Sequence, residues 1–226
     1  MAPSPAGGRI TAITPQRRTP DRLNIFLDGV YAFSLATALV ADEGLAPRQE
    51  LTAARVATLL AADSVSKATE AALRFLAVRP RSERELRDRL RSKQFTPDEI
   101  AAALERVRGW GYLDDIAFAR FWVAQRETYR PRGQRLLRHE LAQKGVDRDL
   151  IVATIAEAEI DEPTAALELA RGRLLTYRGL EPHVVRRRLG AFLARRGYGY
   201  DVIGPTLEVL LSEGRDTEDR LKSCAE

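Results

Sequence analysis

Leu86-Arg87-Asp88-Arg89-Leu90-Arg91-Ser92-Lys93-Gln94-Phe95 returns twice along the chain, as Leu137 to Lys144-Gly145-Val146 and as Leu189 to Arg196-Gly197-Tyr198. Lys93, Lys144 and Arg196 stand 51 and then 52 residues apart, and the flanks keep the same register. Leu86, Leu137 and Leu189 correspond, as do Leu90, Leu141 and Leu193, then Ile100, Ile151 and Ile203, then Leu104, Ile155 and Leu207. Apolar positions repeated at this period indicate stacked supersecondary units, each too small to bury a core alone. Such arrays present long surfaces to partners more often than they enclose catalytic clefts.

Each unit reads as three helices. The first has Lys67–Val78, Glu83–Lys93 and Pro97–Arg108; the second Asp115–Tyr129, Gly133–Lys144 and Arg148–Glu159; the third Glu162–Tyr177, His183–Arg196 and Gly199–Ser212. Ser82 with Glu85 and Thr96 with Glu99 have capping-box spacing, and Pro97 suits a first helical position. Gly145 and Gly197 fall where a helix commonly ends in the left-handed conformation. Gln94 holds the equivalent place, so the first unit either ends that helix differently or carries strain of about 1 kcal/mol.

The residues before the repeats read differently. Arg9 to Thr14 and Leu23 to Leu27 suit strands, and Asp28-Gly29 is a two-residue hairpin turn leading into Val30 to Leu35. That register sets Leu27 opposite Val30 and Phe26 opposite Tyr31, with apolar side chains on both faces. An Ala/Leu-rich helix follows to about Ala62. The expected fold is therefore mainly α: three tandem three-helix repeats behind a small N-terminal domain containing a β-hairpin. The expected boundaries are a disordered tail at 1–8, the N-terminal domain at 9–64, repeats at 65–113, 114–160 and 161–212, and a flexible tail at 213–226.

Composition narrows the function. In 226 residues Cys224 is the only cysteine and His139 and His183 the only histidines, which argues against a disulfide, a zinc site or any other metal site and suits a reducing cytoplasm. No apolar run is long enough to span a membrane. The net charge is +4, with the excess in the repeats: residues 65–160 carry 19 basic against 15 acidic side chains, whereas residues 1–64 carry six of each. The excess is mostly arginine, suited to forked contacts with phosphate and carboxylate.

Every middle helix carries a basic cluster. The candidates for a partner or nucleic-acid surface are Arg81, Arg84, Arg87 and Arg91 in the first unit, Arg126, Arg130, Arg132, Arg135 and Arg138 in the second, and Arg186, Arg187, Arg188 and Arg195 in the third. At 100° per residue Arg84, Arg87 and Arg91 fall within an arc of about 60°, opposite Leu86 and Leu90. Arg84, Arg135 and Arg187 occupy one repeat position. Such faces can be merely solvated, with local ion pairs such as Arg84–Asp88, but the same face basic in three stacked units can line an acidic partner, whether a DNA backbone or a protein groove. Lys93, Lys144 and Arg196 have a structural explanation, since a cation complements the dipole at a helix C-terminus.

Gly111-Tyr112-Leu113-Asp114-Asp115, followed by Phe118 and Trp122, is the other distinctive stretch. One aspartate is expected to cap the next helix, with Phe118 and Trp122 filling the core one turn apart. Gly109-Trp110-Gly111 lacks the strand and spacing of a phosphate loop. No catalytic residue set and no cofactor motif emerges, so the residues describe a binding protein. Alternatives are an autonomous helix-turn-helix-like DNA-binding transcription factor and a nuclease using Asp114 and Asp115.

Arg79-Pro80-Arg81-Ser82 with Glu85-Leu86, Lys93-Gln94-Phe95, Gly111 to Asp115 with Phe118-Ala119, Glu140-Leu141 and Lys144-Gly145-Val146 together resemble the RecX family. Arg22 to Leu51 resembles the N-terminal extension of many members. The resemblance runs from Arg9 to about Leu211, strongest in the first two repeats, and Gln94 departs from the family's usual glycine. It implies a cytoplasmic, non-enzymatic regulator of the RecA recombinase, a monomer that needs no cofactor. Its implied partner is the RecA filament on single-stranded DNA, with double-stranded DNA as a further ligand. Binding there implies blocked extension and suppressed ATP hydrolysis, strand exchange and coprotease activity.

Overall fold

The structure, a computed structural model, describes residues 7–17 and 19–223, with side chains as far as Glu213. Most of the expected N-terminal tail and Cys224 lie outside the described residues. Asp28 and Gly29 take positive φ values of 49° and 83°, the geometry of a tight hairpin turn between β2 (Arg22–Leu27) and β3 (Val30–Ala36). Leu27 pairs with Val30 and Phe26 with Tyr31, as the turn requires. A register shift after Ile25 then realigns the strands. With β1 (Gly8–Pro15) and the two-residue β4 (Glu50–Leu51) they form an antiparallel sheet ordered β3-β2-β1-β4.

The sheet buries one face. Ile25, Leu27, Phe33 and Leu35 pack with Ile10, Val40 and Leu51, while Val30 and Tyr31 remain exposed. The apolar residues on the second face are thus largely solvent-facing. Strand β4 and the short α1 (Thr37–Asp42) are too brief to leave a periodic signature and were not expected.

The largest departure from expectation is α2 (Ala53–Leu76), a single helix of 24 residues where two segments were expected. No glycine or proline interrupts it, and Thr52 caps its start by accepting from Arg55 N–H. Val56 and Leu59 belong to the sheet's core, while Ala68, Ala71 and Ala72 belong to the next one, with Leu86, Leu90, Ile100 and Leu104.

Asp63, with a side chain only 1% exposed, ties α2 to the sheet. It accepts from Arg22 Nη2 at 2.9 Å, Lys67 Nζ at 2.8 Å and Ala36 N–H at 2.9 Å. Burial pushes its pKa up, but the hydrogen bonds from Arg22, Lys67 and Ala36 N–H, together with the Lys67 charge, outweigh burial and hold it below the ordinary value. Stability from this group is therefore complete above the ordinary aspartate range and is lost as pH falls through the lowered value. Asp63→Asn is expected to cost about 2 kcal/mol at neutral pH. In urea unfolding, its deficit relative to wild type should shrink below about pH 4; a pH-independent deficit would contradict a charged role.

The helices of the repeats are α3 (Glu83–Ser92), α4 (Pro97–Gly109), α5 (Asp115–Tyr129), α6 (Gln134–Gln143), α7 (Arg148–Glu157), α8 (Glu162–Leu174), α9 (Pro182–Arg195) and α10 (Tyr200–Ser223), with a 3-10 turn at Leu175–Tyr177. The expected Thr96–Glu99 capping box forms at the start of α4. Helix α10 runs beyond Ser212, into the stretch expected as a tail. The repeated apolar positions are the cores: Leu86, Leu90, Leu137, Leu141, Leu189 and Leu193 are all fully buried. The chain divides into two units, one of residues up to Arg79 with Glu85–Leu113, the other of Pro80–Arg84 with the residues from Asp114 onward.

Candidate functional site

Each residue of the Gly111–Asp115 stretch has a local task. Gly111 has φ +75°, Leu113 is buried beside Val107 and Ala72, and Tyr112 is exposed. Asp114 caps α5, accepting from Ile116 N–H at 2.7 Å and Ala117 N–H at 3.2 Å. Asp115 accepts from Glu83 N–H at 2.9 Å, at the start of α3. Both carboxylates thus serve helix N-termini, where the dipole favours negative charge. Phe118 is fully buried, and Trp122 lies against it with ring centroids 5.8 Å apart.

The Asp115 bond has a counterpart one repeat later. Gln134 N–H, opening α6, donates to Glu162 Oε1 at 2.8 Å. Ser82 Oγ is bonded to the Lys144 carbonyl at 2.7 Å, and Gly133 N–H, 51 residues on, donates to the Arg196 carbonyl at 2.9 Å. The start of a middle helix thus meets the next unit twice: at an acidic first-helix residue and at the carbonyl before a left-handed glycine. Gly145 and Gly197 have φ of +81° and +91° and sit under these contacts. A Cβ on Gly145 would lie 2.7 Å from Arg84 Cβ, and one on Gly197 would lie 2.3 Å from Leu136 Cβ and 2.7 Å from its backbone nitrogen. Gln94 takes the same left-handed conformation, φ +67°, so the first repeat ends its helix like the others and bears the strain.

These contacts sort the candidate arginines. Arg126 and Arg132 turn inward onto Glu140, which is 9% exposed. Glu140 Oε2 also accepts from Trp122 Nε1 at 2.8 Å, and Arg126 stacks over the indole at 4.3 Å. Burial and the charges of Arg126, Arg196 and Arg130 lower the Arg132 pKa from the usual guanidinium value. Arg91 pairs with Asp88 at 3.4 Å, Arg138 donates to Gln134 at 3.0 Å, and Arg84 lies against Gly145. Arg81 and Arg87 are half-buried. Arg130, Arg135, Arg186, Arg187 and Arg195 are exposed and make no side-chain hydrogen bond or ion pair among the described residues. Arg188 is likewise exposed, its guanidinium 5.8 Å from the Tyr177 ring centroid.

Sequence reasoning did not single out Arg173, Tyr177 and Phe192, and it assigned Arg196 to a helix end. Arg173 lies over both the Tyr177 and Phe192 rings, at 5.5 and 5.6 Å, and Arg196 lies over Phe192 at 5.2 Å. Contacts between helices leave no periodic signal; only the number of arginines near aromatics in this stretch hints at them. Among the described residues, no helix is long and apolar enough to cross a membrane, and no group of three or more His, Cys, Asp or Glu is placed to hold a metal ion.

Comparison with known proteins agrees with this architecture. The family models for the first, second and third three-helix domains of RecX match residues 68–106, 114–155 and 160–205, and that for the Regulatory protein RecX N-terminal domain matches residues 8–52. Regulatory protein RecX of Clostridium botulinum (strain Eklund 17B) is 31% identical over 198 residues, covering 86% of this chain and 92% of that protein. The same-named proteins of Bacillus velezensis and Bacillus subtilis are 33% and 31% identical, covering 96% and 92% of this chain and 84% and 80% of their own lengths. A crystal structure of regulatory protein RecX superposes with a TM-score of 0.71 at 26% identity, over 86% of this chain and 96% of that one. With its N-terminal sheet, its three three-helix domains in order and relatives matched over most of their length, the chain belongs to the RecX family of regulatory proteins.

Proposed function

We propose that this protein is a non-enzymatic regulator that binds the RecA–single-stranded DNA filament and inhibits its extension, ATP hydrolysis, strand exchange and coprotease activity, acting as a cytoplasmic monomer. The carrying observation is the set of exposed arginines on α6 and α9 that no carboxylate of the chain neutralises among the described residues: Arg135, Arg186, Arg187, Arg188 and Arg195. Cations left unpaired in a folded protein are available to a partner's phosphates or carboxylates. Of these, Arg135 and Arg187 share one repeat position, which suits a partner that is itself a repeating polymer, because weak contacts on linked units multiply. Shared membership with proteins named as regulatory supports a binding role.

Purified protein added to RecA filaments should lower DNA-dependent ATP hydrolysis at ratios well below one per RecA protomer. Reversing Arg84, Arg135 and Arg187 together to Glu should weaken inhibition about tenfold or more while leaving the helical circular-dichroism signal intact. No effect of the wild-type protein on ATPase rate or filament length would refute the proposal; undiminished inhibition by the triple variant would move the contact to another face.

A further inference from the structure

Arg188, Tyr177, Arg173, Phe192 and Arg196 form a ladder in which guanidinium and ring alternate. Consecutive members lie 5.8, 5.5, 5.6 and 5.2 Å apart, measured from guanidinium carbon to ring centroid. The ladder joins the end of α8 and the 3-10 turn to α9. Its Arg196 end adjoins the Arg130–Arg132 cluster, since the Arg196 charge helps lower the Arg132 pKa. The ladder cations make long, weak polar contacts besides: Arg173 Nε to Tyr177 Oη at 3.4 Å, and Arg196 Nη1 to the Pro131 carbonyl at 3.5 Å. No carboxylate pairs with Arg173, Arg188 or Arg196 among the described residues.

Beside the ladder lies a cavity of about 440 Å³, with Pro131, Leu169 and Phe192 as apolar walls, Arg173 and Arg196 as cations, and Gly172 on its lining. Glu168 also lines it and is the one carboxylate there; its charge is felt by Arg171, which is itself paired with Glu213. A Cβ on Gly172 would meet nothing within 4 Å, so the cavity is open at that point.

We propose that this groove and the ladder beside it bind single-stranded nucleic acid, with Arg173 and Arg196 in the groove and Arg188 at the ladder's far end taking backbone phosphates, and the apolar walls taking a base or sugar. A guanidinium stacked on a ring keeps its N–H edge outward and its side-chain freedom restricted, which suits forked phosphate contacts. Alternating cation and flat apolar surface matches a ligand that itself alternates phosphate and base, whereas an acidic peptide offers charge without the flat partner. The inference deepens the filament-regulator reading and rests on it, since that partner carries single-stranded DNA. It places the DNA contact between α8 and α9, on residues distinct from Arg84, Arg135 and Arg187.

The test is fluorescence anisotropy of a labelled oligo-dT across a salt series, without RecA. Arg173→Gln with Arg188→Gln should weaken binding about tenfold or more at low salt and reduce the slope of log affinity against log salt by roughly 1.4, two single-strand phosphate contacts. Gly172→Glu adds a negative charge at the groove without touching packed atoms, and replaces a helix glycine by a better helix former. It should weaken oligo-dT binding with no loss of thermal stability, which a purely structural ladder would not do. Unchanged affinity and slope in both variants would overturn the inference, as would a polyglutamate that competes as well as oligo-dT at equal charge. ATPase inhibition is scored separately. Wild-type inhibition with oligo binding indifferent to these variants defeats the groove and spares the regulatory reading. Groove-dependent oligo binding with no inhibition does the reverse.

Discussion

Gly197→Ala is expected to destabilise the protein by about 2–5 kcal/mol, combining the left-handed backbone penalty with overlap against packed atoms. The new methyl would lie 2.3 Å from Leu136 Cβ and 2.7 Å from Leu136 N, so backbone must move. The contact that gives way is the one joining the start of α6 to the turn after α9, where Gly133 N–H meets the Arg196 carbonyl. Two variants separate the terms. Gly179 also has positive φ, +78°, but open space around it, so Gly179→Ala should cost only about 1–2 kcal/mol. Gln94→Gly relieves the same backbone strain in the first repeat and should stabilise by about 1 kcal/mol. Denaturant unfolding measures all three; equal costs at Gly179 and Gly197 would mean that the close approach to Leu136 carries no energy.

The repeat that fixes the fold was legible because each unit uses the same apolar positions for its core. Leu86, Leu137 and Leu189 are buried without exception, and a 3.6-residue period shows in one dimension. The hairpin was legible for a different reason: Asp28-Gly29 permits few turn geometries, and the turn sets the register of β2 and β3. The continuity of α2 was missed because one helix serves two cores and its apolar face changes partners midway. The site was the least legible part. A sequence gives the charge of an arginine but not whether a carboxylate distant in the chain claims it. Arg126 and Arg132 belong to the same charge run as Arg130 and Arg135, yet Glu140 takes the first pair and leaves the second. The Asp115 and Glu162 bonds to middle-helix starts were hidden for the same reason, since the donor and acceptor lie 32 and 28 residues apart.

Glu140→Ala should be among the most damaging single substitutions in the second and third repeats, costing about 3 kcal/mol, because it strands two half-buried cations beside each other. Glu140 joins Trp122, Arg126 and Arg132, whose guanidiniums have side chains only 23% and 25% exposed. With the carboxylate gone, Arg126 and Arg132 repel each other across a poorly solvated space, adding to the burial and the repulsion that already lower the Arg132 pKa. The indole N–H loses its acceptor too, so Trp122 emission should shift in the folded protein. The contrasting pair is Arg120 with Glu157, bidentate but with side chains 58% and 57% exposed; Arg120→Ala should cost less than about 1 kcal/mol. Urea unfolding followed by circular dichroism compares the two, and a Glu140→Ala loss under 1 kcal/mol would show that Arg126 and Arg132 reach water when released. The distinction bears on every functional experiment with the basic cluster. A variant of Arg126 or Arg132 that loses inhibition should also lose thermal stability, and so reports folding. A variant of Arg135 or Arg187 should lose inhibition at an unchanged melting temperature, because among the described residues no group pairs with its charge.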